Sequence, residues 1–475
     1  MRKYLKLFFA FSLGTWLKAA VTLITAPLIS YLIKPDEFGK ASMYSMFFQV
    51  LYVLMFLGSD HAFVRYFYEK REPERRELLW NCLYISLIAS TIIAVVVFKF
   101  GDTISRYLYG EQYRHVSLLL VITMYLSLFQ RYNLSITRLK RQGFLYSIIE
   151  LSNSFMTGLS TIGFAIMTRG SFYSVILGQL TGYLSSLLVG LRLFKSFGKP
   201  AAISLSEIRK LLAYGLPFVP ALLMHWLFGS IDRIVLRQYR TYTEIGLYSV
   251  AYKITSILLL VQAGFTLIWS PTAFERYEQN KDDRTFFKKA NSVVSFVMFS
   301  FGIVVFIFKD LVISLFSRSY RASAQIVPFL ILAPIMVTIS DTMQIGISIS
   351  KKTYWHLATT IIATAANYFG NILLVPLLGA SGAAMSTGLA SMFYMFIRMF
   401  ISERVFPVGY DLRRISASSL VTLTVFAVGM FNRSRVVNSL VGLLGLALIV
   451  LMYSEEFKIL HNELLNALRK NARNE

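Results

Sequence analysis

The sequence predicts an all-α, polytopic membrane protein, with about 14 transmembrane helices in two six-helix lobes around a central cleft plus two C-terminal helices. Of its 475 residues, 56% are apolar and 15% are charged. Soluble domains carry roughly 25% charged and under 50% apolar residues. The apolar residues also recur in stretches of the length that crosses a bilayer, ~20 residues. The connections between these stretches are too short to fold as domains, so we expect the function to reside in the membrane.

The predicted spans follow one another along the whole chain. The first is too long for a signal-peptide core, and we expect it to remain as a helix. In chain order the spans are 8–33, 41–64, 78–98, 115–137, 145–168, 171–191, 211–235, 244–270, 290–308, 323–349, 356–376, 381–401, 415–431 and 437–453.

The basic residues predict the orientation. Lys and Arg number 48 against 25 Asp and Glu, a formal charge of +23. With the N-terminus inside, the cytoplasmic segments hold about twice as many Lys and Arg as the outer ones, as the positive-inside rule requires. Both termini are therefore predicted to be cytoplasmic. Basic loops on a membrane protein favour anionic lipid as a partner and make nucleic acid an improbable one.

A weak internal repeat predicts the domain organisation. The segment Glu37-Phe38-Gly39 recurs as Glu244-Ile245-Gly246, 207 residues later. An even number of spans separates the copies, which is typical of a parallel repeat. We expect an N-terminal lobe, a cytoplasmic linker, a C-terminal lobe, and a final part with two additional helices and a cytoplasmic tail. Their predicted bounds are 1–194, 195–210, 211–404 and 405–475.

Charged residues inside the spans are the candidate site. A Lys or Arg at the bilayer centre costs ~2.5–3.5 kcal/mol, so it usually faces the bundle interior or a cavity. Lys18 and Lys253 lie well inside their spans, although snorkelling is an alternative, and Arg131 is close enough to a span end to reach solvent. Asp341 is taken as the one carboxylate well inside a span, and Glu150 and His356 as solvated. The excess of cations over Asp341 predicts a cavity for an anion.

Polar stripes add to this cavity. Asn153 lies in the stripe of the fifth span, and Asn367 and Asn371 lie in that of the eleventh, at helical spacing. We expect these amides to bind hydroxyl-rich ligands.

Other chemistry has little support. Cys82 is the single cysteine, so an internal disulfide is impossible, and no Cys/His cluster suggests a metal. The sequence contains no GxxxxGK[ST] motif. We therefore expect no cofactor, no metal and no catalytic residues.

Several short motifs resemble a known family. They are Lys34-Pro35-Asp36-Glu37-Phe38-Gly39, Ile231-Asp232-Arg233-Ile234-Val235-Leu236, Gly246-Leu247-Tyr248-Ser249-Val250-Ala251-Tyr252-Lys253 and Trp269-Ser270-Pro271. These are similar to the polysaccharide-transporter (O-antigen/oligosaccharide flippase) branch of the multidrug/oligosaccharidyl-lipid/polysaccharide exporter superfamily. Gly39, Asp232, Arg233 and Gly246 are the motif positions, although an interfacial ion pair is an alternative account of Asp232 and Arg233.

The resemblance implies a function and partners. It implies a flippase, not an enzyme, that moves a polyprenyl-diphosphate-linked oligosaccharide from the inner to the outer leaflet of a prokaryotic plasma (inner) membrane by alternating access. It also implies contact with polysaccharide polymerase machinery.

Two alternatives stay open. A multidrug or cation exporter of the same superfamily would be expected to have a carboxylate in the first span, where this chain has Lys18. A membrane glycosyl polymerase or ligase would need a large outer loop, and the longest predicted one, 99–114, is too short to build a site.

Overall fold

The computed structural model describes residues 2–196, 200–350, 352 and 354–471. Within these residues the chain forms helices and connecting segments, and no strand. Residues 197–199 of the predicted linker and Arg473 of the basic tail lie outside the described residues. The predicted all-α fold class is confirmed.

The chain forms two compact units. The first comprises Met1–Arg233 and Thr241–Gly246, and the second comprises Ile234–Arg240 and Leu247–Glu475. The chain therefore passes from one unit to the other within the seventh predicted span and near the start of the eighth. The predicted lobe bounds remain a prediction.

The first unit contains the early helices. Their bounds are α1 Arg2–Leu32, α2 Pro35–Phe56, α3 Ser59–Tyr66, α4 Glu72–Lys99, α5 Gly101–Tyr109, α6 Arg114–Leu139, α7 Gly143–Met167, α8 Tyr173–Ser196, α9 Leu205–Gly215, and most of α10 Phe218–Tyr239.

The second unit contains the later ones. They are α11 Tyr242–Gln279, whose first turn belongs to the first unit, α12 Arg284–Ser314, α13 Ser323–Met343, α14 Ile345–Ile349, α15 Tyr354–Leu378, α16 Ala380–Val405, α17 Leu412–Phe431, α18 Arg435–Met452 and α19 Ser454–Asn471.

Each predicted span coincides with a helix or a pair of helices. Among the described residues, 10 helices are long and apolar enough to cross a membrane, or 11 if the bent pair α2–α3 is one span. The helices α6 and α7 have the length but not the apolarity, because α6 carries Arg131 and α7 carries Glu150 among many hydroxyl residues. The chain is a multi-pass membrane protein.

Small residues bring α1, α7 and α8 close together. The backbone N–H of Gly14 donates to Ser147 Oγ at 3.0 Å. A Cβ on Gly158 would lie 2.7 Å from Thr25 Cγ2, and one on Gly182 would lie 2.0 Å from Thr157 Oγ1. Close backbone approach through glycine and hydroxyl residues is the usual packing mode of membrane helices. It brings the polar stripe of α7 directly against α1.

A break between α2 and α3 positions a carboxylate. The two helices meet at an angle of 51°. Leu57 and Gly58 both have positive φ angles, 47° and 75°. Gly58 lies against Gly215 so closely that a Cβ would be 2.2 Å from the carbonyl oxygen of Gly215. The break therefore begins α3 inside the unit, with Asp60 buried in its first turn.

In the second unit α13 is the central helix. It packs against α12, α16 and α17, and nearly all of its side chains are buried. The neighbouring pair α15 and α16 is joined by an amide network, in which Ser386 Oγ donates to Asn367 Oδ1 at 2.9 Å and Asn371 Nδ2 donates to the same oxygen at 2.9 Å.

Candidate functional site

An ion pair joins α1 to α7 in the first unit. Lys18 Nζ donates to Glu150 Oε2 at 2.7 Å. The Lys18 side chain is 46% exposed, whereas that of Glu150 is 10% exposed. Ser154 Oγ donates to the carbonyl oxygen of Lys18 at 3.2 Å and adds to the same contact. The accessible partner of this pair is thus the cation.

A second pair of the first unit lies at the helix break. Arg131 of α6 donates to Asp60 Oδ2 through Nε at 2.9 Å and through Nη2 at 2.8 Å. The Asp60 side chain is 7% exposed and that of Arg131 is 31% exposed. A guanidinium bound through two N–H groups has a fixed orientation. The pair therefore fixes α3 against α6.

The second unit holds a more enclosed cluster around Asp341 and Arg398. Arg398 Nη1 lies 3.5 Å from Asp341 Oδ1 and donates to Ser340 Oγ at 3.1 Å. Arg398 Nη2 donates to Gln344 Oε1 and lies 3.4 Å from His356 Nδ1. Both charged side chains of the pair are almost fully buried.

Further donors surround the same carboxylate from α11. Gln262 Nε2 and Thr266 Oγ1 each lie 3.4 Å from Asp341 Oδ2. Trp269 Nε1 donates to the Asp341 carbonyl oxygen at 3.1 Å. The cluster therefore connects α11, α13, α15 and α16 through one network of polar side chains.

The remaining predicted site residues occupy different surroundings. Lys253 and Asn153 are half-buried in α11 and α7, Asp232 is buried near the end of α10, and Arg233 is half-buried beside it. Asn367 and Asn371 are fully buried between α15 and α16, where they bind one another and Ser386. The predicted binding of ligand hydroxyls by these amides stays a prediction.

Gly39 and Gly246 form a reciprocal backbone contact within the first unit. A Cβ on Gly39 would lie 2.0 Å from the carbonyl oxygen of Tyr242, and one on Gly246 would lie 1.9 Å from that of Pro35. Pro35 lies four residues before Gly39, and Tyr242 lies four residues before Gly246. The two copies of the repeat therefore pack on each other in equivalent ways, which gives these motif glycines a packing role.

The structure corrects the predicted charge balance. Glu150 is buried and paired with Lys18, not solvated. Asp60 is a further buried carboxylate, paired with Arg131. Arg398, which the sequence did not single out, is 6% exposed and pairs with Asp341. Lys18, Arg131 and Asp341, which were assigned to the interior, thus each have a partner of opposite sign.

Spacing along each helix carried a signal for the missed residues. Ser391 and Ser402 lie on the same face of α16 as Arg398, seven residues before it and four after it. On α7, Ser147 and Ser154 lie three residues before and four after Glu150, again on one face. A charge amid small polar residues at helical spacing indicates a buried polar face.

Outside the spans, one further pair connects the segment after α3 to α9. Lys70 Nζ donates to Glu207 Oε1 at 2.6 Å. This hydrogen bond, together with the charge of Glu207, raises the pKa of Lys70. Among the described residues, no group of three or more His, Cys, Asp and Glu side chains is placed to hold a metal ion.

Many apolar helices in two compact units, with paired charges inside them, define a multi-pass membrane protein. The family described as "Polysaccharide biosynthesis protein" matches residues 28–325. The chain belongs to that family, and the resemblance given by the short motifs is confirmed.

A curated relative agrees with this assignment. The probable low-salt glycan biosynthesis flippase Agl15 of Haloferax volcanii is 24% identical over 366 residues, which cover 74% of this chain and 75% of the relative.

Solved structures share the fold. The lipid II flippase MurJ in an inward closed conformation has a TM-score of 0.70 at 16% identity, covering 96% of this chain and 99% of MurJ. An inward-facing multidrug resistance transporter of the MATE family has a TM-score of 0.60 at 16% identity, covering 85% of this chain and 95% of that one. At these identities the likeness concerns the fold.

Proposed function

We propose that this chain is a flippase that moves a polyprenyl-diphosphate-linked oligosaccharide from the inner to the outer leaflet of a prokaryotic plasma membrane. Its termini lie in the cytoplasm, and the lobes 1–194 and 211–404 alternate access to a polar cleft. Membership of a polysaccharide biosynthesis family and the names of Agl15 and MurJ support this class of substrate.

The observation that carries the proposal is the Lys18–Glu150 pair. Its carboxylate is buried, while its ammonium is 46% exposed, so an approaching ligand meets the positive partner first. A diphosphate has more than one negative charge, and Coulomb attraction scales with the product of the charges. The diphosphate therefore competes with Glu150 for Lys18, and Glu150 takes the ammonium back after release.

The surroundings of Lys18 suit the rest of the headgroup. Asn153 lies on the same stripe of α7 as Glu150, and its Nδ2 is buried without a hydrogen-bond partner among the described residues. An unpaired buried amide is costly, ~1–3 kcal/mol. A sugar hydroxyl that accepts from Asn153 relieves this cost, while the prenyl chain remains in the lipid.

A multidrug exporter of the same superfamily is the second candidate. The shared fold with MATE transporters and the buried carboxylates Glu150 and Asp341 favour it. In that function Glu150 exchanges a proton against an organic cation. Lys18, which holds Glu150 at 2.7 Å, opposes binding of such a cation.

Reconstitution in vesicles separates the two candidates. The flippase function predicts that the full chain accelerates leaflet exchange of a fluorescent polyprenyl-diphosphate saccharide, and that a soluble prenyl diphosphate competes. Ethidium neither competes nor is transported, because a cation gains nothing from Lys18. Transport of ethidium without exchange of the saccharide contradicts the flippase and supports the exporter.

Deletion of the gene is the cellular counterpart. The expected result is accumulation of a lipid-linked oligosaccharide on the cytoplasmic leaflet, accompanied by loss of the surface polysaccharide. Unchanged polysaccharide together with sensitivity to lipophilic cations is the opposite outcome.

A further inference from the structure

A separate basic pocket lies in the second unit, at the helix ends that are predicted to face outward. It is a cavity of about 340 Å³, at the lower end of the ~300–1,000 Å³ typical of small-molecule sites. Its walls come from the end of α12, the start of α13 and the connection between α17 and α18. The charged lining residues are Lys309, Asp310, Arg321, Arg433 and Arg435.

The charges of this pocket are unbalanced. Four basic side chains line it against one carboxylate. That carboxylate is already engaged, because Lys309 Nζ donates to Asp310 Oδ2 at 2.7 Å. The Lys309 side chain is only 1% exposed, so this pair forms the floor of the pocket. Arg321, Arg433 and Arg435 thus converge on a cavity whose only lining carboxylate is paired with another cation.

The predicted orientation makes this concentration of charge unusual. Outer loops of membrane proteins are generally poor in Lys and Arg. Three arginines brought together from two separate loops repel one another. The attraction of each arginine to a bound anion would offset that repulsion. Arginine also matches the geometry of phosphate oxygens through paired N–H groups. Gln325, Asn432 and Ser314 line the same cavity and supply neutral donors.

We propose that this pocket binds an anionic phosphate group of a lipid headgroup in the outer leaflet. The site is distinct from the Lys18–Glu150 pair, since it belongs to the other compact unit and is formed by α12, α13 and the connection between α17 and α18. Two lipids carry this chemistry, an anionic phospholipid and a prenyl diphosphate. Binding of a phosphate group in this pocket does not depend on which substrate the protein moves.

The test measures binding of inorganic pyrophosphate to the full chain in nanodiscs of zwitterionic phosphatidylcholine. The double variant Arg433→Gln/Arg435→Gln is expected to weaken the affinity about tenfold, because two of the three arginines that line the pocket are lost. Arg321→Gln is a second, single variant and is expected to weaken it less. Arg318→Gln is the matched control, because Arg318 is exposed at the same end of the unit and does not line the pocket.

Nanodiscs that contain phosphatidylglycerol distinguish the two sources. If pyrophosphate affinity falls in them, the phospholipid headgroup occupies the pocket. If it does not fall there but a soluble prenyl diphosphate displaces pyrophosphate, the prenyl diphosphate is the occupant.

Equal affinity in the wild type and the double variant overturns the proposal. An equal loss in Arg318→Gln also overturns it, because the attraction would then be a diffuse surface field. Saccharide exchange is measured on the same variants. A double variant that loses pyrophosphate binding but still exchanges saccharide supports the pocket and leaves the flippase function intact.

Discussion

In the first unit, Lys18 is left half exposed beside Glu150, whereas in the second unit Arg398 and Asp341 are both enclosed. The side-chain exposures are 46% and 10% in the first pair and 6% and 10% in the second. An ion pair that is open on its cationic side can exchange its carboxylate for a ligand anion. An enclosed pair is held by hydrogen bonds from several helices, and removing one partner leaves a buried charge.

The same contrast appears at equivalent helix contacts. Asp341 and Arg398 lie 208 residues after Asn133 and Gly190. Asn133 of α6 is fully buried, and its side chain lies against Gly190 of α8. In the first unit an amide and a glycine form this helix contact. In the second unit an ion pair forms it.

The largest expected effect is that of Arg398→Ala. It leaves Asp341 buried without its cation and is expected to cost about 3–5 kcal/mol of stability. Thermal unfolding in detergent and abundance in the membrane measure this loss. Arg404→Ala is the control, since Arg404 is exposed on the same helix. Equal stability of the two variants would show that the pair of Arg398 and Asp341 does not stabilise the fold.

A smaller loss is expected when Gly39 is replaced by Ala. The new Cβ would lie 2.0 Å from the Tyr242 carbonyl oxygen, and overpacking of this kind costs about 1–3 kcal/mol. Gly229→Ala provides the matched control, because nothing lies within 4 Å of its Cβ position. Comparable unfolding midpoints for both alanine variants would show that the motif copies do not pack as described.

Lys18→Ala is expected to destabilise the protein less than Arg398→Ala. Lys18 donates to Glu150 from an accessible position, whereas the buried Arg398 also donates to Ser340 and Gln344. The unfolding midpoint in detergent is the readout. A loss as large as that of Arg398→Ala would mean that Lys18 is a structural residue.

The smallest effect concerns the pair of Lys70 and Glu207. Its side chains are 23% and 26% exposed, so its contribution is at most about 1 kcal/mol. Because the pKa of Lys70 is raised above its ordinary 10.5, the stabilisation is complete below that value and is lost as pH rises further. Unfolding midpoints at neutral pH and beyond pH 10.5 should differ less in Lys70→Met than in the wild type. An identical difference in both proteins would contradict the assigned pair.

The sequence predicted the spans well because each records the thickness of a bilayer, a constraint that acts on ~20 consecutive residues. It also identified Lys18, Arg131 and Asp341 as charges that need an explanation. It did not predict their partners, since Glu150 lies 132 residues from Lys18 and only helix packing brings the two together. Arg398 was missed because it lies near a span end, where a basic residue is ordinarily solvated. The break at Leu57 and Gly58, which buries Asp60, has only a glycine as its local signal.

The rate of saccharide exchange by Lys18 variants in vesicles shows whether the open pair of the first unit holds the diphosphate. The prediction is that Lys18→Ala lowers the exchange rate at least about tenfold at equal amounts of folded protein, because a buried or partly buried charge contact to phosphate is lost. Lys18→Arg retains a measurable part of the rate, and Lys99→Ala, an exposed lysine of the same unit, retains all of it. A Lys18→Ala variant that exchanges the fluorescent saccharide as fast as the wild type would show that Lys18 does not hold the diphosphate.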